Sequence, residues 1–163
     1  MNGQAEKPIF EGLSLAEIEE INAEISEYED KMAVSTEALK IIQKYRRWVS
    51  DDCLVAVAEL LGIPPAHLEG VATFDNLIYR QPVGKTIIHY CNSVTCWMLG
   101  SDQIRDSLCR HLNVGLGEIS EDGEYILLPI VCLGACDHAP VVMVGDELKL
   151  DMTEDAVNEI LGR

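Results

Sequence analysis

The chain has 163 residues, of which 48% are hydrophobic and 25% charged, and its 28 acidic against 12 basic side chains give a formal net charge of −16. That length supports one or two compact domains, with a core that needs no disulfides. The acidic balance excludes a nucleic-acid binder, which needs clustered Lys and Arg to displace counterions from phosphates. The longest apolar run, Ile126 to Leu133 with Pro129 inside it, falls well short of the ~18 residues that span a bilayer. Met1 to Phe10 carry Glu6 and Lys7 and lack an apolar signal core. The expectation is a soluble chain without direct membrane insertion, in the cytoplasm, where cysteines stay reduced and paired ones hold metal more often than disulfides.

Residues 1–12 are expected to form a flexible tail. Ser14 and Glu17 then have the spacing of a capping box, and Ile18, Ile21, Ile25 and Tyr28 recur along one helical stripe. A second helix is predicted from near Ser35 to about Trp48, with Lys40, Lys44 and Arg47 on one side, placed to pair with the acidic first helix. Ser50, Asp51 and Asp52 open a third helix that Gly62 closes, with Cys53 packing as a small apolar group. Pro64 and Pro65 open a fourth, over about Ala66 to Thr73. Residues 13–80 therefore read as a helical domain, and Asp75 to Lys85 as the joint.

Beyond the joint the periodicity changes. Thr86 to Tyr90 reads as a strand ending at Cys91, followed by a loop that carries Cys96, and then a helix from Ser101, as its cap, through about Leu112. Ile104, Leu108 and Leu112 form its apolar stripe, with Cys109 and His111 beside it in packing roles. Gly115-Leu-Gly117 is only a fragment of a dinucleotide loop and follows no strand, so nucleotide binding there is rejected. Tyr125 to Val131 is a second strand. Val141 to Val144 and Glu147 to Leu150 make a hairpin around Gly145-Asp146, and Thr153 caps a last helix in which Met152 can staple to Val157. Residues 81–163 thus form a small sheet covered by helices.

Two close cysteine pairs end the two long strands: Cys91 with Cys96, and Cys132 with Cys136. Four explanations compete. Structural zinc accepts four thiolates, but its sites usually use tighter two-residue knuckles. Two disulfides conflict with the inferred compartment, and a thiol oxidoreductase usually shows a two-residue spacer that neither pair has. A 2Fe-2S cluster needs one pair at each iron and N–H groups near the sulfurs. Gly134 permits close backbone approach, and Gly100-Ser101 starts a helix soon after Cys96, both suited to an anionic group. Cys136-Asp-His138 raises the thought of a Rieske centre, which needs a second His at matching spacing, and His67, His89 and His111 do not provide it.

The segments Gly70-Val-Ala-Thr-Phe74, Pro82-Val-Gly84, Cys91 with Cys96 and Gly100, and Cys132-Leu-Gly-Ala-Cys136-Asp-His-Ala-Pro140 together resemble the thioredoxin-like 2Fe-2S subunits of respiratory complex I. The resemblance covers most of the chain from about Glu17. It departs where the family has Asp, two residues, Phe, then Ser or Thr, because here Asp122 is followed by Tyr125 and Ile126, and a local hydroxyl is lost. The resemblance implies an α+β, α/β-type architecture, an N-terminal helical bundle followed by a thioredoxin-like 2Fe-2S ferredoxin domain. It implies one 2Fe-2S cluster held by Cys91, Cys96, Cys132 and Cys136, with Ser93 and Thr95 as candidate hydrogen-bond donors to its sulfurs. It also implies a permanent partner, the flavoprotein subunit that carries FMN and a 4Fe-4S cluster. The function implied is electron transfer in the NADH dehydrogenase module, peripheral on the cytoplasmic side of the inner membrane, with no NADH or quinone site on this chain. Related subunits serve NAD-linked hydrogenases and formate dehydrogenases. From another class, a zinc-stabilised interaction module fits the same cysteines.

Overall fold

The computed structural model describes residues 12–161, and the expected tail lies outside them except for Gly12. The chain divides into two compact units, with the boundary between Pro82 and Val83. Among the described residues no helix is long and apolar enough to cross a membrane.

The first unit is helical. Helix α1 (Leu15–Ser26) starts at a reciprocal capping box in which Ser14 accepts from the Glu17 amide and the Glu17 carboxylate accepts from the Ser14 amide. A single 3-10 turn, Lys31–Val34, leads into α2 (Ser35–Arg46). Helix α3 (Asp51–Leu61) runs between the Ser50 cap and Gly62, whose φ of 70° gives the left-handed close that glycine adopts without strain. Helix α4 (Pro65–Phe74) begins on Pro65, where a missing N–H costs nothing. Their inward stripes meet in one core that includes Ile21, Leu39, Ile42, Val57, Leu61 and Leu68. Tyr28, expected on the α1 stripe, is exposed, since the helix ends two residues before it.

Helix α2 stops at Arg46, short of the expected Trp48, because Arg47 turns left-handed with φ 73°. The charge pairing also differs from expectation. Lys44 reaches Glu20 on α1 at 2.7 Å, but Lys40 pairs with Glu37 on its own helix. The cation that enters the unit is Arg46. Its Nε and Nη2 donate to the two Glu17 carboxylate oxygens, each at 2.6 Å, its Nη1 donates to Cys53 Sγ at 2.8 Å, and Nη2 also reaches the Gly12 carbonyl. Cys53 is buried as expected, and it is a hydrogen-bond acceptor besides. Gln43 and Arg80 tie the segment after α4 to the helices: Gln43 brackets Leu77 and Tyr79, and Arg80 reaches the Val49 carbonyl, Asp51 and Glu69.

The second unit is built on a four-stranded sheet in the order β2-β1-β3-β4. Strand β1 (Thr86–Cys91) lies parallel to β2 (Tyr125–Ile130), with Thr86 opposite Tyr125 and Cys91 opposite Ile130. Between them the chain forms a short helix, α5 (Val94–Met98), and then α6 (Ser101–Leu112), since parallel neighbours need a crossover. On its other side β1 pairs antiparallel with β3 (Val142–Val144), which turns through Gly145 into β4 (Glu147–Lys149). Gly145 has φ 57°, the freedom that the turn requires. Pro129 is tolerated because β2 is an edge strand and lacks a ladder neighbour for the missing N–H. Helix α7 (Glu154–Ile160) is capped by Thr153, and Met152 and Val157 are buried in one core with Ile88, Leu108 and Leu127.

Two local expectations are corrected here. The segment carrying Cys96 is helical rather than a loop, and Gly100, with φ 100°, stands at the cap of α6 in place of Ser101. The left-handed glycine lets one helix turn directly into the next, so Ser101 becomes its first helical residue and is buried. In the turn before β2, Ser120 donates to Asp122 at 2.5 Å and accepts from the Tyr125 amide at 2.9 Å.

Two outcomes follow from this packing. A Cβ at Gly84 would lie 2.6 Å from the Tyr125 carbonyl carbon, against backbone that cannot yield, so Gly84→Ala should destabilise the second unit by about 1–3 kcal/mol in denaturant unfolding. For Glu17, burial opposes ionisation, but the hydrogen bonds from Arg46 and Ser14 outweigh it and hold the carboxyl below its ordinary range. The unfolded state therefore binds the extra proton. The pair stabilises fully above the ordinary carboxylate pKa and fades as pH falls through the lowered one. Glu17→Ala should cost about 2–3 kcal/mol at neutral pH, reduced from a fully buried pair because Arg46 is partly open, and urea titrations should show that gap narrowing below about pH 4.5.

Candidate metal centre

Parallel pairing brings the two cysteine-bearing turns to one end of the sheet. Cys91 is the last residue of β1 and faces Ile130, the last residue of β2, so Cys132 leaves the sheet beside it. The Asn92 amide donates to the Ile130 carbonyl at 3.0 Å and the Cys91 amide to the Val141 carbonyl at 3.1 Å, which fixes the exit directions of both chains. Cys96 sits on the inner side of α5 and packs with Cys91, Val141, Leu133, Ala135 and Ala139. All six cysteines are free thiols.

The four thiols fall into two unequal pairs. Cys91 and Cys96 are each 1% exposed, whereas Cys132 and Cys136 face solvent with their sulfurs 3.3 Å apart. Burial pushes the Cys96 thiol up to about 11, with the hydrogen bond to Cys91 adding to it and the Val141 backbone and the neighbouring Cys136 also acting on it. The Gly134 amide donates to Cys132 Sγ at 3.4 Å and lowers that thiol, while its neighbour Cys132 raises Cys136, against a hydrogen bond from the Thr95 side chain. Gly134 has φ 84°, which lets its amide turn toward the sulfur. Thr95 is thus the hydroxyl of the two candidates that reaches a sulfur. Ser93 stands at the N-cap of α5.

Neither cysteine-bearing segment, 86–100 or 125–136, contains an Asp, Glu, Lys or Arg, and Asp137 follows directly. Among the described residues no three His, Cys, Asp or Glu side chains converge on one ion position. The structure places the two thiol pairs at one end of the sheet, with the Gly134 amide and the Thr95 hydroxyl directed at sulfurs of the exposed pair. His138 points elsewhere. Its Nδ1 bonds Asp151 at 3.0 Å and its Nε2 faces Asp137 at 3.6 Å, so both ring nitrogens are engaged by carboxylates. His89 is buried in β1, and burial lowers it to about 4, leaving it neutral. Cys109 and His111 lie on α6; Cys109 packs against the core of the second unit and His111 bonds the Ser107 carbonyl.

Residues 21–163 match the family described as Thioredoxin-like [2Fe-2S] ferredoxin. The chain belongs to this family. Its cofactor class is accordingly a 2Fe-2S cluster. Over 162 residues the chain is 46% identical to the E subunit of NADH-quinone oxidoreductase from Salmonella typhimurium and to that from Escherichia coli K12, covering 99% of this chain and 97% of each relative. The corresponding protein of Pseudomonas aeruginosa is 45% identical over 149 residues, covering 91% and 90%. A crystal structure of NAD+-reducing [NiFe]-hydrogenase in the H2-reduced state is similar in fold, with a TM-score of 0.63 at 17% identity, over 76% of this chain and 21% of that one.

Sequence reasoning missed Asp151, which lies 15 positions after Cys136 and carries no periodic or motif signal, yet contacts the residue two beyond that cysteine. A difference in thiol reactivity should report the asymmetry of the pairs. In iron-free protein, brief iodoacetamide treatment followed by peptide mass spectrometry should modify Cys132 and Cys136 at least tenfold faster than Cys91 and Cys96.

Proposed function

We propose that Cys91, Cys96, Cys132 and Cys136 ligate one 2Fe-2S cluster, and that the chain is the electron-transfer subunit of an NADH dehydrogenase module of the complex I type. The observation that carries this reading is the meeting of two thiol pairs at the ends of adjacent parallel strands. Near-full-length identity to the E subunits of several bacterial NADH-quinone oxidoreductases supports it over a hydrogenase or formate dehydrogenase assembly. When bound, the cluster supplies a one-electron centre. The protein's share is to hold four thiolates in place, to direct the Gly134 amide and Thr95 hydroxyl at sulfur, and to keep formal charge out of both ligand-bearing segments.

On this reading the partner is the flavoprotein subunit bearing FMN and a 4Fe-4S cluster, and the assembly sits on the cytoplasmic side of the inner membrane. Residues 13–80 form a separate helical domain and residues 81–163 the cluster domain. NADH and quinone are handled by other subunits.

Anaerobically purified protein should contain two irons and two labile sulfides and bleach reversibly on dithionite. Cys96→Ala should lose the chromophore, and Cys109→Ala should keep it. Co-expression with the flavoprotein subunit should give a complex on size exclusion that oxidises NADH with ferricyanide. One zinc and no colour would overturn the reading, as would an intact chromophore in the Cys96 variant.

A further inference from the structure

The two halves of the sulfur quartet are secured by different means. Cys91 ends a strand and Cys96 lies on a helix, and both are buried with Val141. Cys132 and Cys136 are exposed, and only the residues around them, Leu133, Ala135 and Ala139, pack against the buried pair. Cys136 opens a short 3-10 turn, Cys136–His138, in which the His138 amide donates to the Ala135 carbonyl at 3.1 Å. The far end of this turn is tied to a distant part of the chain.

The tie is double. The Asp151 amide donates to the His138 carbonyl at 2.8 Å, and His138 Nδ1 lies 3.0 Å from Asp151 Oδ2. An ionised carboxylate has no proton to give, so the ring nitrogen is the donor. Backbone and side chain of the same two residues thereby close a ring, and the next amide, Met152, donates to the Pro140 carbonyl at 2.9 Å. Asp151 makes these contacts from φ 49°, a left-handed backbone that Asp and Asn tolerate better than other non-glycine residues. It is followed directly by the buried Met152 and the Thr153 cap of α7, so the anchor is joined to the core of the second unit.

We propose that Asp151 is a positioning residue for the cluster: together with His138 it latches the exposed Cys132–Cys136 turn to the start of α7, and thereby sets how firmly that side of the site retains iron. The proposal rests on the assignment of Cys136 as a ligand.

The test uses the full chain with its cluster, kept anaerobic. Iron transfer to excess chelator is followed by absorbance, and the dithionite-reduced protein is examined by EPR. His138→Ala and Asp151→Ala should release iron about fivefold faster and alter the EPR line shape, a change that a loss of general stability does not produce. Asp151→Asn keeps an acceptor and tolerates the left-handed backbone, so it should release iron at the wild-type rate. Release within twofold of wild type in both alanine variants, with unchanged EPR, overturns the latch. So does Asp151→Asn behaving like Asp151→Ala, which assigns the effect to charge. Should Asp151→Ala fail to fold, His138→Ala, which leaves the Asp151 backbone untouched, decides alone. A wild-type chain without iron overturns the ligand assignment and the latch together, whereas iron-bearing wild type with unaffected variants overturns the latch only.

Discussion

The parallel pairing of β1 with β2 is the constraint on which the second unit depends. Antiparallel neighbours would send the turns after Cys91 and before Cys132 to opposite ends of the sheet. Parallel neighbours send both out at one end, with Cys91 opposite Ile130. The register matters as much as the direction, because a slip by one residue turns every side chain to the other face. Contacts at both ends pin it: Lys85 and Thr86 donate to the Gly123 and Glu124 carbonyls at the start, and Asn92 donates to Ile130 at the finish. Gly84 belongs to the same device, since its missing side chain lets the backbone pass against Tyr125.

From that pairing follows a site with one dry side and one wet side. The dry side is Cys91 and Cys96, where burial, joined by the hydrogen bond to Cys91, disfavours the Cys96 thiolate. The wet side is Cys132 and Cys136, where Gly134 and Thr95 supply donors. In the cluster proposed for this site, four thiolates and two sulfides would exceed the charge of two ferric ions by two, and an added electron would raise the excess. The two cysteine-bearing segments, 86–100 and 125–136, carry no carboxylate although the chain as a whole carries −16, and the first acidic neighbour is Asp137, directly after Cys136. Amide and hydroxyl donors act in the other direction, toward accepting the added electron.

The helical unit answers to a different interaction. Glu17 caps α1 through the Ser14 amide and at the same time receives two of the three guanidinium nitrogens of Arg46, so one buried carboxylate links the start of one helix to the end of another. A carboxylate this deeply buried is costly when unpaired, and the ring of donors around it makes the ionised form the stable one. The surface pair of Lys44 with Glu20 contributes much less by comparison, because solvent screens it.

Much of this was legible in the sequence because it is encoded by near neighbours. The Ser14 capping box, the Ser50 and Gly62 ends of α3, the Gly145 turn and the Thr153 cap each depend on residues a few positions apart, and local hydrogen bonding makes them visible without a fold. The spacing of the cysteines narrowed the chemistry for the same reason, and the motif around Cys132 to Cys136 pointed to the family. What the sequence alone did not determine was which cation turns inward, that Cys96 rides on a helix, which pair of thiols is dry, and that Asp151 reaches back to His138. Each of these depends on groups far apart in the chain meeting in space, and the energy of such a contact exists only once the strands and helices have packed.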